Sequence, residues 1–295
     1  MKLYLPARPP FLLNSVIQSH GWIRLAPFQE DETNGGFQYI DELSSGSVVP
    51  LYIHEAGEGV RVETKAQLTP LEESEIAHRV SWMLALNQAF ENFYEFATSE
   101  PKLAKAIKNA QGRILRSATF FEDTIKTILT TNTTWSGTIR MVNALVTLYG
   151  SPLAGDPTRH AFPTPEIIAK SDVDTLRTVA RLGYRAPYVL ELAQSMTAGS
   201  LDLEAFKTSK LPTIELRKQI LAIKGVGAYA AANLLMLLGR YDYVPVDSWA
   251  LKVVSHEWYE GKPIGSAEVE KAFEPWGKWK GLAYWLWDWS FPGTN

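Results

Sequence analysis

Hydrophobic and polar positions follow two periods along this chain. Residues 1 to about 66 hold short β-prone runs: Phe37-Gln38-Tyr39-Ile40, Val48-Val49-Pro50-Leu51-Tyr52-Ile53-His54 and Val60-Arg61-Val62-Glu63-Thr64. Gly35-Gly36, Gly46, Gly57 and Gly59 punctuate them, which predicts a meander of antiparallel strands. A helical turn is expected near Leu12 to Ser19.

From Thr69 the period becomes helical. Thr69-Pro70-Leu71-Glu72 combines a capping threonine, a proline at the first helical position and a glutamate that completes a capping box. Residues 71–98 carry Ile76, Val80, Met83, Leu84, Phe90, Phe93 and Phe96 at helical spacing. Further helices are expected over 121–131 and 137–149, the second stopped by Gly150. Ser151 to Pro163 reads as a loop, broken by Pro152, Gly155, Pro157 and Pro163. Thr164-Pro165-Glu166 starts the next helix, and Ser171 with Asp174 another. Gly183-Tyr184-Arg185 interrupts the pattern before a helix from about Pro187 to Ala198. Helices then follow over 213–222, 228–238, 247–259, 266–274 and 278–289. The expected class is α+β: a small antiparallel β-rich N-terminal domain with a linking helix (1–98), then a large all-helical domain (99–295).

Composition narrows the chemistry. With no cysteine in 295 residues, disulfides, thiolate zinc sites, iron–sulfur clusters and a thiol nucleophile are excluded. Five scattered histidines argue against a transition-metal site. No apolar run approaches the roughly 18 residues that span a bilayer, and the N-terminus is too quickly broken by Pro6 for a secretory signal. A soluble, cytoplasmic monomer without membrane contact is expected, nucleoid-associated if bacterial. The net charge of -3 weighs against nucleic acid, but a local basic patch remains compatible with it. Ten tryptophans, several near the C-terminus, either fill cores or stack on planar ligands.

The most informative stretch runs from Leu211 to Trp249. Two helix patterns flank Lys224-Gly225-Val226-Gly227-Ala228. Glycines there allow a sharp turn and close approach of another backbone. The free N–H groups at the start of the second helix form an anion site suited to phosphate. A lone carboxylate, Asp247, follows the second helix. By position alone it reads as an N-cap of the helix that begins at Ser248.

Leu221 to Trp249 resembles the helix-hairpin-helix and Gly-Pro-Asp signature of the base-excision DNA glycosylase superfamily (HhH-GPD). The likeness extends to Arg113-Ile114-Leu115-Arg116, Phe121 to Asn132, Ala161-Phe162-Pro163-Thr164-Pro165-Glu166 and Leu182-Gly183-Tyr184-Arg185-Ala186-Pro187-Tyr188. Together these cover roughly residues 110–290. The β-rich front resembles that of 3-methyladenine and 8-oxoguanine glycosylases.

The resemblance implies a partner, damaged double-stranded DNA, and a reaction, excision of a flipped base. It makes Asp247 the catalytic aspartate that stabilises positive charge on the sugar and directs a water. Strand-nicking members carry a lysine where this chain has Tyr229, and a phenol forms no imine. The resemblance therefore implies a monofunctional enzyme that uses water. Aromatic faces for the flipped base are expected among Tyr229, Trp249, Tyr184, Tyr284 and Trp285, with Asp288 on the same C-terminal helix and Trp22 from the N-terminal domain. Tyr284 and Asp288 would share one face of that helix, and Trp285 and Trp289 another. Asn132 matches the position that fills the gap in the duplex, and it reads equally as a helix C-cap. Trp135 is placed to stack on exposed bases. Lys224, Gly225, Val226, Gly227 and Ala228 would hold the DNA backbone. No cofactor is required, but such hairpins often hold Na+ or K+ through main-chain carbonyls, here of Leu221, Ile223 and Val226. Electron-rich aromatics favour a cationic, alkylated purine. An oxidised-purine glycosylase is the alternative, supported by Leu182 to Arg185, and a non-catalytic damage-binding protein is a third reading.

Overall fold

The computed structural model describes residues 1–289. Five strands form one antiparallel sheet in the order β1-β5-β4-β3-β2: Lys2–Pro6 (β1), Phe28–Glu30 (β2), Gly36–Glu42 (β3), Val48–Glu55 (β4) and Gly59–Glu63 (β5). The expected meander is therefore present and gains a strand at each edge. Alternation sets its faces: on β4, Val49, Leu51 and Ile53 are buried while Val48, Pro50, Tyr52 and His54 are half-exposed. Register is fixed by pairs such as Tyr39–Leu51 and Ile53–Val62.

The helices are Leu13–Ile17 (α1), Pro70–Met83 (α2), Glu91–Ala97 (α3), Ala104–Lys108 (α4), Phe120–Thr130 (α5), Trp135–Tyr149 (α6), Pro165–Ala169 (α7), Val173–Thr178 (α8), Ala186–Thr197 (α9), Thr213–Leu221 (α10), Ala228–Leu237 (α11), Ser248–Trp258 (α12), Ser266–Ala272 (α13) and Lys280–Leu286 (α14). Among the described residues no helix is long and apolar enough to cross a membrane. The chain forms two compact units. Residues 1–88 with 113–209 make the first, and 89–112 with the described residues from 210 onward make the second.

Several expected elements differ. The Thr69–Glu72 capping box forms as read, but the helix over 71–98 is broken. α2 ends at Met83, Ala85 turns back with φ 49°, and α3 starts at Glu91. The Ala85 carbonyl accepts the Gln88 N–H at 3.0 Å and the buried Arg113 Nε at 3.2 Å, the second a tertiary partner that sequence periodicity does not reveal. The loop over 151–163 contains a short hairpin, Pro152–Leu153 (β6) with Asp156–His160 (β7), turned at Gly155 with φ 84°. The helical region is thus not all-helical. The α8 cap is Asp172, which accepts from Thr175 N–H, and not Ser171.

In the first unit α5 is buried along almost its whole length, Phe120 to Leu129. That requires Lys126 and Glu122 to satisfy each other, at 2.6 Å. The Tyr39 hydroxyl donates to the second Glu122 oxygen at 2.5 Å, and the ammonium lies 4.7 Å from the Phe28 ring. Removing one partner of such a buried pair typically costs about 3–5 kcal/mol. In the second unit the core is aromatic. Phe273 packs edge-on against Trp258, Tyr284 and Trp287 at 5.3, 5.6 and 5.4 Å. Tyr241 stacks on Trp279 at 5.6 Å.

Candidate active site and nucleic-acid interface

The second unit carries the hairpin and the carboxylate. Gly225 has φ 85°, a conformation that a β-carbon strains, so the turn itself requires glycine there. Gly227 has a different basis. Its φ is -90°, and a β-carbon there would meet nothing within 4 Å. Neither the turn nor the packing requires it to be glycine, and its lack of a side chain leaves the start of α11 bare. Gly227 is the N-cap without a side-chain cap, and Gly227, Ala228 and the preceding Lys224 are exposed. The N–H groups of the first turn thus have no capping side chain and can meet an outside anion. Val226 is buried at 6% exposure, and its N–H bonds the Ile223 carbonyl at 3.1 Å. Leu221 ends α10 and Ile223 lies just beyond it, where carbonyls lose helical partners. Neutral carbonyl oxygens suit a hard monovalent cation, so the donor set fits the group that the resemblance implies.

Asp247 caps α12. Its Oδ1 accepts the Ala250 N–H at 2.8 Å, and the residue is exposed. The capping bond orients the side chain and leaves its second oxygen for other work. Two phenols lie close enough to feel this charge. Tyr229, in the first turn of α11, has its ionisation pushed up by burial and then by Asp247, with the Asn233 side chain pulling the other way. Tyr284 is pushed up further by burial, then Asp247, then Tyr229. Both phenols therefore keep their protons at physiological pH. Trp249, in the first turn of α12, is 40% exposed.

Gly281 sets the position of α14 and of Tyr284. A β-carbon there would lie 2.3 Å from the Tyr243 carbonyl and 2.9 Å from that of Tyr241. Only glycine lets the helix rest on the segment that leads through buried Val244 and Pro245 to Asp247.

The C-terminal helix is shorter than the expected 278–289. It ends at Leu286, Trp287 is extended at φ -60°, ψ 134°, and residues 274–279 form a 3-10 turn. Tyr284 and Asp288 therefore do not share a helical face, nor do Trp285 and Trp289. Trp287 is buried against Trp258 at 5.2 Å and Phe273, which draws the chain off the helical path. The Asp288 backbone pairs with Lys102: its N–H bonds the Lys102 carbonyl at 2.9 Å, and its carbonyl accepts from Lys102 Nζ at 3.2 Å. Trp285 is half-buried, and Tyr284 is buried at 5% exposure.

The first unit brings together a second group. α5 ends at Thr130 and is capped by Thr131, extended at φ -72°, ψ 135° with its N–H on the Ile128 carbonyl, so Asn132 is not the cap. Asn132 follows with φ 47°, a left-handed conformation that asparagine tolerates. The Asn132 side chain is exposed, and its Nδ2 donates to the Tyr184 hydroxyl at 3.3 Å. Tyr184, 50% exposed, donates to the Thr131 carbonyl at 3.4 Å. The same carbonyl accepts from buried Arg185, whose guanidinium lies 4.4 Å from the Tyr184 ring. Arg185 belongs to the quoted motif but has no role assignable from sequence; here it ties the tip of α5 to the 183–185 turn.

Trp135 begins α6, with Thr134 as its cap. Its ring covers Gly21 so closely that a β-carbon there would lie 2.3 Å from Cζ2. Trp22 is buried at 7% exposure, and its indole N–H donates to Asp123 at 2.8 Å.

Comparison with known proteins adds the following. A model of the HhH-GPD superfamily of base excision DNA repair proteins matches residues 125–278, more than half of the chain. YfjP of Bacillus subtilis (strain 168), named as a candidate DNA-3-methyladenine glycosylase, is 27% identical over 132 residues, 42% of this chain. The match spans 44% of that relative's length. The 3-methyladenine DNA glycosylase of Archaeoglobus fulgidus superposes with a TM-score of 0.75 at 21% identity, over 97% of each chain. The 8-oxoguanine glycosylase/lyase of Clostridium acetobutylicum, bound to double-stranded DNA with cytosine opposite 8-oxoguanine, gives 0.74 at 20% identity, over 98% of this chain and 96% of that one. At these identities the two structures share the fold.

Proposed function

The chain belongs to the HhH-GPD superfamily of base excision DNA repair proteins, and from that premise we propose that it is a monofunctional DNA glycosylase that hydrolyses the N-glycosidic bond of alkylated purines in duplex DNA. One observation carries the reading: Tyr229, a phenol within electrostatic reach of the capped carboxylate of Asp247, occupies the position where a strand-nicking enzyme would hold an amine.

The chemistry follows from those groups. The hairpin N–H groups and Lys224 hold phosphates without reading sequence. As the C1'–N bond lengthens, the base departs with the bonding electrons and the sugar becomes positive. The Asp247 carboxylate stabilises that charge. Water adds its oxygen to C1', and its proton passes to Asp247 or to solvent. An alkylated purine is already cationic and leaves neutral, so no strong general acid is needed. Neutral Tyr229 and Tyr284 can donate a hydrogen bond to the water or the sugar, and with Trp249 they offer faces that attract a cationic ring. Asn132 and Tyr184 would fill the gap left by the flipped base. If the carbonyls of Leu221, Ile223 and Val226 bind Na+ or K+, the ion would brace the turn beneath a phosphate.

The YfjP likeness favours the alkylated-base reading. The Asn132–Tyr184–Arg185 arrangement favours the second, an oxidised-purine glycosylase, because the motif that forms it resembles that branch. Duplexes carrying N-methylated purines or 8-oxoguanine, incubated with the protein and analysed for free base, separate the two. Release of methylated purine alone is expected. Release of 8-oxoguanine alone would replace the first reading with the second, and DNA binding with no release would remove the enzymatic reading.

A further inference from the structure

A cavity of about 470 Å³ lies wholly inside the first unit, near the start of α5, and none of the residues discussed above as site residues lines it. Its volume is within the ~300–1,000 Å³ typical of small-molecule sites. Tyr39 and Asp41 alternate on β3 and so share the sheet face that meets α5. Phe121 and Phe162 supply apolar walls, and Ser44 and Glu166 are exposed where the cavity reaches the surface.

The charges are lopsided. Asp41, Glu42, Glu122, Glu166 and Glu204 line the cavity against one guanidinium, Arg79. Most of this acidity is already matched. Glu122 is held by Lys126, and Glu204 by Lys207 at 2.6 Å. Arg79 serves Asp41 Oδ1 at 2.5 Å and Glu75 at 2.6 Å. Two lining carboxylate oxygens remain buried without a hydrogen-bond partner, Asp41 Oδ2 and Glu42 Oε2. Asp41 is the more buried residue, at 3% exposure, whereas Glu42 is half-exposed. A buried carboxylate oxygen left unpaired is costly. It selects a ligand that brings N–H donors and positive charge. Aromatic walls select a flat apolar body behind that charge. An anion is repelled, and a metal ion would want several converging free oxygens.

We propose that this cavity is a binding site for a small organic cation, an amidinium or guanidinium on a flat apolar body, anchored on Asp41. The site is independent of base excision, and its test does not use that activity. Burial raises Asp41 to about 7, with Arg79 pulling down and Glu122 and Glu75 pushing up. Tyr39, two residues away on the same face of β3, feels the Asp41 charge in turn, and Glu42 also lines the cavity. Cation uptake should therefore expel a proton, and binding should tighten as pH rises from 6 to 8.

Titration calorimetry of the full chain with benzamidine, against its neutral isostere benzamide, is the test. One-to-one binding of benzamidine is expected, tighter at pH 8 than at pH 6, with no binding of benzamide. Asp41→Asn should weaken it by at least about tenfold, the loss of one charge-assisted hydrogen bond. A crystal soaked with benzamidine should show the amidinium on Asp41, and this arm decides if Asp41→Asn fails to fold. Equal binding of both compounds, no binding at millimolar concentration, or density away from Asp41 would overturn the proposal.

Discussion

Replacing Asp247 by asparagine separates its two roles. The carboxylate caps α12 through one hydrogen bond, Oδ1 to Ala250 N–H at 2.8 Å. Asparagine keeps that acceptor and is about as good a cap, whereas alanine loses it at a cost of about 1 kcal/mol. Asparagine also forfeits the attraction of a negative charge to the helix start, about 0.3–1 kcal/mol. Asp247→Asn should therefore unfold within about 1 kcal/mol of the parent, and Asp247→Ala about 1–2 kcal/mol below it. The effect on rate is larger. Two unit charges about 4 Å apart near a protein surface attract by roughly 4 kcal/mol, and about 1.4 kcal/mol is tenfold in rate. Both variants should release base roughly a thousandfold more slowly. Single-turnover release from a methylated duplex reads the rate, fluorescence anisotropy reads DNA binding, and denaturant unfolding reads stability. Release by Asp247→Asn within about threefold of the parent would refute the reasoning. So would a loss of release matched by an equal loss of DNA affinity, which would make Asp247 a binding residue.

Other variants probe other parts of the structure. Asn132→Gly keeps the left-handed backbone at φ 47° but removes the side chain, so base release should fall while the melting temperature holds; unchanged release would leave Asn132 with a backbone role alone. Gly281→Ala drives a β-carbon to 2.3 Å from the Tyr243 carbonyl and should cost about 1–3 kcal/mol in unfolding free energy, as overpacking does. His20 is lowered from 6.5 to about 4, mainly by burial, against its bond to the Leu115 carbonyl and with Lys126 adding to the lowering. The folded state then binds fewer protons than the unfolded one, so stability rises with pH from about 4 to about 6.5. Asp123, raised by burial to about 6 against its bonds from Ser117 and Trp22, acts with the opposite sign from about 3.8 to 6. Urea midpoints of His20→Gln should therefore fall with pH across that window, where the parent is held up; parallel curves would contradict the assignment.

Much of the architecture follows from local signals. The Thr69–Glu72 box, the strand alternation and the Gly225 turn are each decided by a few neighbouring residues, and each forms as the sequence predicts. Departures arise where distant groups decide. The turn at Ala85 meets the distant Arg113 side chain, and α14 ends where Trp287 is buried among Trp258 and Phe273. Period alone carries neither effect. The site shows the same division. Asp247 and Tyr229 stand out by their place in a motif, and their electrostatic coupling places them near each other. Sequence assigns no role to Asn233 or Arg185, because one acts through a contact four residues along α11 and the other through a carbonyl 54 residues away. The one signal for Asn233 was its i+4 spacing from Tyr229. Gly227 is legible from the resemblance as a backbone-holding residue, and the open space around it adds that neither turn nor packing requires a glycine there.

The central claim is hydrolysis by water at a site where Tyr229, a phenol that forms no imine, occupies the position of a strand-nicking enzyme's lysine. Product analysis on an end-labelled duplex with one N-methylated purine, with and without borohydride, tests it most directly. The account predicts free methylated base, an abasic strand that breaks only after alkali, and no covalent protein–DNA complex. A nicked strand without alkali, or a borohydride-trapped complex, would contradict it.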